Sequence, residues 1–276
     1  MHLSIQQGLV FNLGAIGQLK YKQYKPKNGI FDKDKFLKEF QDTYESKAGF
    51  TQKKTFAPST IGYGHGKCAR YWYLAFNGAE FEDTADYKGK ANMENGTFVH
   101  DRLQTRLSKM NNSYKVIDHE AEIIVEDPPI RGFRDTLILD VENNIEIPFE
   151  IKSMKDDKFI YKKSSEQPEA NHMIQLLIYM HTKGHTTGVF FYENKNDQEP
   201  LLLVVEMDEQ NKKLIEYVLD WLRGVYKLYE AGTLPTRAGE SKTRMPCSYC
   251  PVKKVCWKEM KLEDGDVDYP MMETSI

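Results

Sequence analysis

Residues 130–152, reading IRGFRDTLILDVENNIEIPFEIK, constrain the fold of this chain more than any other stretch. From Ile145 to Lys152 the residues alternate with the period of a β-strand. Ile145, Ile147, Phe149 and Ile151 face one way, and Glu146, Pro148, Glu150 and Lys152 the other. Phe133 to Val141 is a second apolar run, and Glu142-Asn143-Asn144 between the two has the composition of a turn. A hairpin results. Folding it back sets Asp135 beside Glu150, with Lys152 next to Glu150 on the same face.

Two carboxylates and an ammonium so placed suit one kind of chemistry. Carboxylate oxygens are preferred by Mg²⁺ or Mn²⁺, and such an ion activates water and neutralises charge building on a phosphate. Glu-x-Lys alone, however, more often marks an exposed pair on an ordinary edge strand, so the rest of the chain decides. Its 276 residues, 40% of them apolar, are enough for one large globular domain with appendages. A formal net charge of -3 excludes a surface that binds nucleic acid everywhere while allowing a local basic channel. The longest apolar runs, such as Leu201 to Val205, are strand-sized, and the N-terminus lacks a charged leader before an apolar block. Neither a transmembrane helix nor a signal peptide is expected, which places the protein in the cytoplasm, the host's if the chain is viral.

Residues 1–56 read as a basic extension, with Lys20, Lys22, Lys25 and Lys27 close together and a helix from Asp32 to Ser46. The glycines between Ser59 and Cys68 surround Lys67, but Gly62 to Gly66 encloses only three residues and Cys68 stands where a phosphate loop needs Ser or Thr. They read as a flexible turn into a helix. His65 is expected to be a loop histidine. Glu94 to His100 precedes a helical pattern through Leu103 and Leu107, which puts His100 early in a helix. Glu120 to Val125 is the first strand. After Lys152, the lysines at 155, 158, 162 and 163 surround Tyr161, which suits either nucleic-acid backbone contacts with base stacking or a solvated lysine-rich loop.

A helix over Gln167 to Lys183 carries an apolar stripe of Met173, Leu176, Leu177 and Met180. Gln175 and Tyr179 lie one turn apart on a neighbouring polar stripe, near His172, a surface or supporting residue. Strands over Thr187 to Tyr192 and Leu201 to Met207 follow, then a helix from Glu209 to Ala231 ended by Gly232 and Pro235. The four cysteines of the chain are Cys68 and the trio Cys247, Cys250 and Cys256. In a cytoplasmic protein this spacing points to metal before disulfide, and zinc held by all four is chemically permitted.

Taken together, Gly-x-x-x-His at His100, Gly132-x-x-Asp135, Glu150-x-Lys152, Gln175-x-x-x-Tyr179 and the cysteines resemble the RecB-like branch of the PD-(D/E)XK nucleases. The closest pattern is that of its iron-sulfur members, including the CRISPR-associated exonucleases and viral stand-alone relatives. The resemblance spans residues 59–257, and departs from the pattern where Arg134, in place of proline, precedes Asp135. It implies an α/β fold: a restriction-endonuclease-like core, a mixed central sheet flanked by helices, in residues 57–261. A small lobe from residues 59–74 and 240–261 would be stapled by a 4Fe-4S cluster on Cys68, Cys247, Cys250 and Cys256, with structural Zn²⁺ the alternative. Residues 262–276 would be an acidic, flexible tail.

The resemblance further implies that His100, Asp135, Glu150 and the backbone carbonyl of Ile151 hold Mg²⁺ or Mn²⁺. Lys152 would serve the attacking water, and Gln175 and Tyr179 would orient the lysine and the strand. Arg70, Lys155, Lys158, Tyr161 and Lys162 are the expected DNA contacts. The expected function is a DNA nuclease, acting as a single-strand exonuclease in recombination, repair, replication or CRISPR-type adaptation. Its partners would be DNA, single-stranded or with free ends, and a helicase, recombination or integrase protein. The rival is a non-catalytic DNA-end-binding subunit that keeps the fold and the cluster; the intact set of His100, Asp135, Glu150 and Lys152 argues against it.

Overall fold

A computed structural model describes residues 31–45, 49–50, 52–258 and 265–274. The chain divides into two units, Met1–Thr43 and Tyr44–Ile276. In the first, the Asp32 carboxylate accepts hydrogen bonds from the amides of Asp34 and Lys35 and so caps helix α1 (Lys33–Asp42), which stops short of Ser46. The basic run from Lys20 to Lys27 lies outside the described residues.

The second unit begins with β1 (Gly49–Phe50), followed by α2 (Pro58–Ile61), a 3₁₀ turn over His65–Lys67, α3 (Ala69–Phe76) and β2 (Glu80–Phe81), which pairs with β1. The long helix α4 (Tyr87–Leu107) leads into β3 (Tyr114–Val125), β4 (Ile130–Asp140) and β5 (Ile145–Met154). Helices α5 (Asp156–Ser165) and α6 (Ala170–Lys183) cross over to β6 (Thr187–Asn194), and β7 (Pro200–Glu206), α7 (Glu209–Glu230) and α8 (Lys253–Trp257) complete the order. Strands β3 to β7 form one five-stranded sheet in sequence order. Only β5 and β6 run parallel, because the helical crossover returns the chain in the same direction; the other pairs are antiparallel.

Helices pack on both faces of the sheet. On one, Leu176, Leu177 and Met180 of α6 and Ile215, Val218 and Leu222 of α7 share a core with Phe190 and Tyr192 of β6 and Trp72 and Phe76 of α3. On the other, α4 lays Val99, Leu103 and Leu107 against Ile138 and Ile151. This mixed sheet flanked by helices is the core expected of a restriction-endonuclease-like fold. Among the described residues no helix is long and apolar enough to cross a membrane.

Several local expectations need correction. Helix α4 starts at Tyr87, where the Asp86 carboxylate accepts the Gly89 amide, so His100 sits past its midpoint instead of in its first part. Gly89 and Gly96 within the helix, each costing about 1 kcal/mol relative to alanine, hide that start in the sequence. The lysine-rich stretch after Lys155 is a helix, α5. Asp156 and Asp157 in its first turn and Lys162 and Lys163 in its last complement the helix dipole, and Phe159 is buried beneath it.

The N-terminal extension ends before residue 56, since Phe56 is fully buried and its amide bonds to the Pro129 carbonyl. The glycine-rich turn is tightly packed instead of flexible: a Cβ on Gly62 would lie 2.2 Å from the Asn171 carbonyl oxygen. Nor is residues 265–274 a free tail. Val267 bridges to Pro235, Trp221 donates to the Pro270 carbonyl, and buried Met272 donates its amide to Lys67. Its acidic composition suggests solvation, whereas its few apolar residues decide where it goes.

Met272→Ala is therefore expected to lower stability by about 2–3 kcal/mol in a denaturant titration. Glu273→Ala, at an exposed neighbouring position, should stay within about 0.5 kcal/mol of the parent. Equal behaviour of the two variants would mean that the segment does not pack.

Candidate active site

The hairpin of β4 and β5 sets the site. Their ladder pairs Thr136 with Phe149, and the next residues outward are Asp135 and Glu150. At that point the ladder gives way to a side chain: the Ile151 amide donates to Asp135 Oδ2 at 2.7 Å. Asp135 is thereby fixed to the strand that carries Glu150 and Lys152. Glu150 is completely buried. One of its oxygens accepts a hydrogen bond from the Lys152 ammonium, and the other, Oε2, is buried with no hydrogen-bond partner among the described residues.

A buried carboxylate with an unsatisfied oxygen is costly unless something cationic reaches it. Burial raises the pKa of Glu150 to about 8, the charge of Asp135 adds to the rise, and Lys152 opposes it. Burial works against the Lys152 charge, but Glu150 and Asp135 outweigh it, and its pKa lies above the ordinary lysine value. Lys152 is thus an ammonium, a donor and a positive charge.

Helix α4 brings His100 to the same place, with Nδ1 3.7 Å from Asp135 Oδ1. Ligands on one octahedral ion with bonds of about 2.1 Å lie about 3.0 Å apart when adjacent and about 4.2 Å when opposite, so a shift of a few tenths of an ångström would bring this pair onto one ion. A ligand atom of Glu120 joins the pair, all three lying within 4.8 Å of one another. Glu120 is a residue that the sequence reading passed over. It sits in β3 where His119 pairs with Thr136 and Ala121 with Arg134, its backbone has a left-handed φ of 49°, and it faces Asp135 across the strands. Its place in Glu120-Ala-Glu122 was the available signal, but strand alternation alone does not tell which glutamate turns to the site.

Gln104, one turn beyond His100 on α4, holds this arrangement. Its buried amide nitrogen donates to Glu120 Oε1 and to the backbone carbonyl of Asp135, each at 2.8 Å. The donor set is one imidazole and several carboxylate oxygens, with a buried oxygen lacking a partner, and it suits a hard divalent cation such as Mg²⁺ or Mn²⁺.

Gln175 and Tyr179 do stand one turn apart on α6, but they are buried instead of forming a polar surface stripe. The Gln175 amide donates to the Tyr179 hydroxyl at 3.3 Å, and that hydroxyl donates to the Phe133 carbonyl at 2.8 Å. They brace β4 just ahead of Asp135. Burial, then the charge of Glu150, raises the Tyr179 pKa, so the hydroxyl keeps its proton.

Two expected DNA contacts are not at the surface. Arg70 is fully buried and donates to the Pro235 carbonyl at 2.9 Å, tying α3 to the chain after α7. Lys162 is buried and ion-paired with Glu169 at 3.3 Å. Both belong to the packing because each has an internal partner for its charge or its donors. Lys155, Lys158 and Tyr161 remain exposed, with Tyr161 65% accessible.

The cysteines form a second cluster. Cys68 directly precedes α3, Cys247 and Cys250 lie in the turn before α8, and Cys256 lies within α8. None is in a disulfide, and all four line one pocket together with Tyr71, Pro246 and Val252. His65 also lines this pocket, and burial lowers its pKa to about 4. Burial raises the pKa of Cys250 and the neighbouring cysteines raise it further; the Cys68 thiol, also raised by burial, receives backbone amides of Tyr71, Ala238 and Arg70. A Cβ on Gly239 would come within 2.7 Å of Cys247 Sγ, so only glycine lets the chain pass there. Arg237 donates to the Cys256 carbonyl and stacks 4.1 Å over the Trp257 ring. Thiols, amides directed at sulfur and a cation fit a thiolate-bound metal centre.

No family model matches the sequence, and no curated protein matches it. Among solved structures, SSO0001 is similar at 16% identity, covering 83% of this chain and 95% of that one with a TM-score of 0.42. The alkaline exonuclease LHK-Exo of Laribacter hongkongensis is similar at 18% identity, over 51% of this chain and 69% of that one, with a TM-score of 0.37. The same exonuclease in complex with dAMP gives 16% identity, 64% and 92% coverage and a TM-score of 0.41. These are distant likenesses of shape, and the residues at the site carry the functional reading.

Proposed function

We propose that this chain is a metal-dependent deoxyribonuclease that hydrolyses phosphodiesters of single-stranded DNA from free ends. The observation that carries the reading is the convergence of ligand atoms of His100, Glu120 and Asp135 within 4.8 Å, with the buried Glu150–Lys152 pair next to Asp135. His100, Glu120, Asp135 and Glu150, with the carbonyl of Ile151, would hold Mg²⁺ or Mn²⁺. When bound, the ion would supply Lewis acidity toward a phosphate oxygen and acidify a water. Lys152 orients that water and stabilises charge developing on the phosphate, which requires a positive donor held in place. Glu150 fixes the Lys152 ammonium through their hydrogen bond. Gln104 keeps Glu120 and the Asp135 backbone in register, and Tyr179 does so for β4.

The four cysteines would hold a 4Fe-4S cluster with a structural role. It would join Cys68 to the C-terminal trio and so close a long loop of chain. The reading as a non-catalytic end-binding subunit has no specific observation in its favour.

Anaerobically purified protein is expected to degrade end-labelled single-stranded DNA with Mn²⁺ and to stop when a chelator is added. Glu150→Ala and Lys152→Ala should each lower the rate by about 100-fold or more while keeping the far-ultraviolet spectrum of the parent. Undiminished digestion by either folded variant would remove the assignment.

The elevated Glu150 pKa gives a second expectation. A carboxyl that is more basic in the folded than in the unfolded state favours folding at low pH, and that contribution is lost as pH rises through the folded value. Metal-free protein should lose thermal stability between about pH 4.5 and about pH 8, and Glu150→Gln should flatten that decline. Mn²⁺ should raise the melting midpoint of the parent at pH 8 far more than that of Glu150→Gln. Matching melting profiles would show that Glu150 bears no such load.

For the cysteines, anaerobic protein should be brown with stoichiometric iron and sulfide. Cys68→Ala should bleach it and lower its melting midpoint. Zinc without iron would replace the cluster by the alternative metal.

A further inference from the structure

Beside Lys152 opens a pocket of about 530 Å³, within the range of roughly 300–1,000 Å³ usual for ligand sites. Tyr63, Asn92, Asn171, Lys155, Lys158 and Lys195 line it. Tyr63 is 46% exposed. Its amide donates to the Thr60 carbonyl at 3.0 Å, and its carbonyl accepts the Lys67 amide at 3.1 Å. Gly62 just before it is pressed against Asn171, leaving no room for a Cβ. The ring is thus presented to the pocket from a fixed support.

The charge in the pocket is positive and crowded. Burial and the neighbouring Lys155 both lower the pKa of Lys195, as happens when cations are gathered without an anion between them. The pocket's carboxylate, Glu169, is paired with Lys162. His172 adds no charge, since burial and the surrounding lysines keep its pKa at about 3. An aromatic face, side-chain amides and uncompensated ammoniums together match the base face, base edge and phosphate of a nucleotide.

We propose that this pocket receives one unpaired nucleotide of the substrate strand, its base stacked on Tyr63 and its phosphate held by Lys155, Lys158 and Lys195. The inference rests on the nuclease reading for its substrate, and it adds a reason for single-strand preference. A base must leave the duplex stack to lie on Tyr63. Because the Tyr63 loop runs directly into Cys68, the cysteine lobe sets the position of this ring.

The test uses full-length protein and single-stranded oligonucleotides carrying 2-aminopurine at the 5′ or the 3′ terminal nucleotide in separate samples, with chelator present so that binding is read without cleavage. The parent and Tyr63→Phe should quench the fluorescence of one of the two probes. Tyr63→Ala and the bulkier, non-aromatic Tyr63→Leu should lose that quenching and bind about 5-fold more weakly or worse. With Mn²⁺, both should raise KM more than they lower kcat. The melting midpoints of all three variants should remain close to the parent's, as the side chain is half-exposed. Parent-like quenching and affinity in Tyr63→Ala and Tyr63→Leu would overturn the inference, as would absence of quenching with both probes in the parent. Protein that quenches in a Tyr63-dependent way but never cleaves with Mn²⁺ would instead remove the nuclease reading and leave the pocket standing.

Discussion

The pairing of Thr136 with Phe149 is the constraint on which the candidate site depends. With that register, Asp135 and Glu150 must meet in a space from which water is largely excluded, and two carboxylates so placed repel one another. The surrounding residues answer that repulsion one by one. The Ile151 amide takes one oxygen of Asp135, Lys152 takes one oxygen of Glu150, and Gln104 holds the backbone behind Asp135. One Glu150 oxygen is left over. A slip of the hairpin by a single residue would turn Glu150 to the opposite face and dissolve the arrangement.

The cysteine lobe solves a different problem. Helices α2 and α3 reach the core early in the chain, and the segments that must cover them arrive about 180 residues later, the separation between Cys68 and Cys247. Arg70, buried against the Pro235 carbonyl, and Met272, bonded to Lys67, fasten the same two regions without metal. Packing and hydrogen bonds therefore hold these regions together on their own account.

The strands were legible because period-two alternation is a local property, and Asp135, Glu150 and Lys152 are near one another in both sequence and space. Glu120 and Gln104 were not, since their partnership with Asp135 exists only after β3 has bent and α4 has docked. Gln175 and Tyr179 stand out in the sequence as a pair, yet their polarity suggests exposure where the structure buries both. In a helix covered on most sides, a polar stripe marks the side that meets buried polar groups. Lys162 and Arg70 show the same limit, because a cation in a basic stretch looks free until its partner, Glu169 or the Pro235 carbonyl, is in view. The start of α4 was hidden by glycines, which weaken a helix locally while its cap and its apolar contacts sustain it.

Helix α4 has 21 residues and spans about 32 Å. Near its beginning Lys90 is tied to Asp83, and at its end Val99, Leu103 and Leu107 seat it on the sheet, but residues 92–98 are mostly bare to solvent. It is a beam resting on two supports, and His100 stands where the open span meets the second. The imidazole, 3.7 Å from Asp135, therefore takes its place from the end of the helix that rests on the sheet, and the bare span before it contributes no packing of its own to that position.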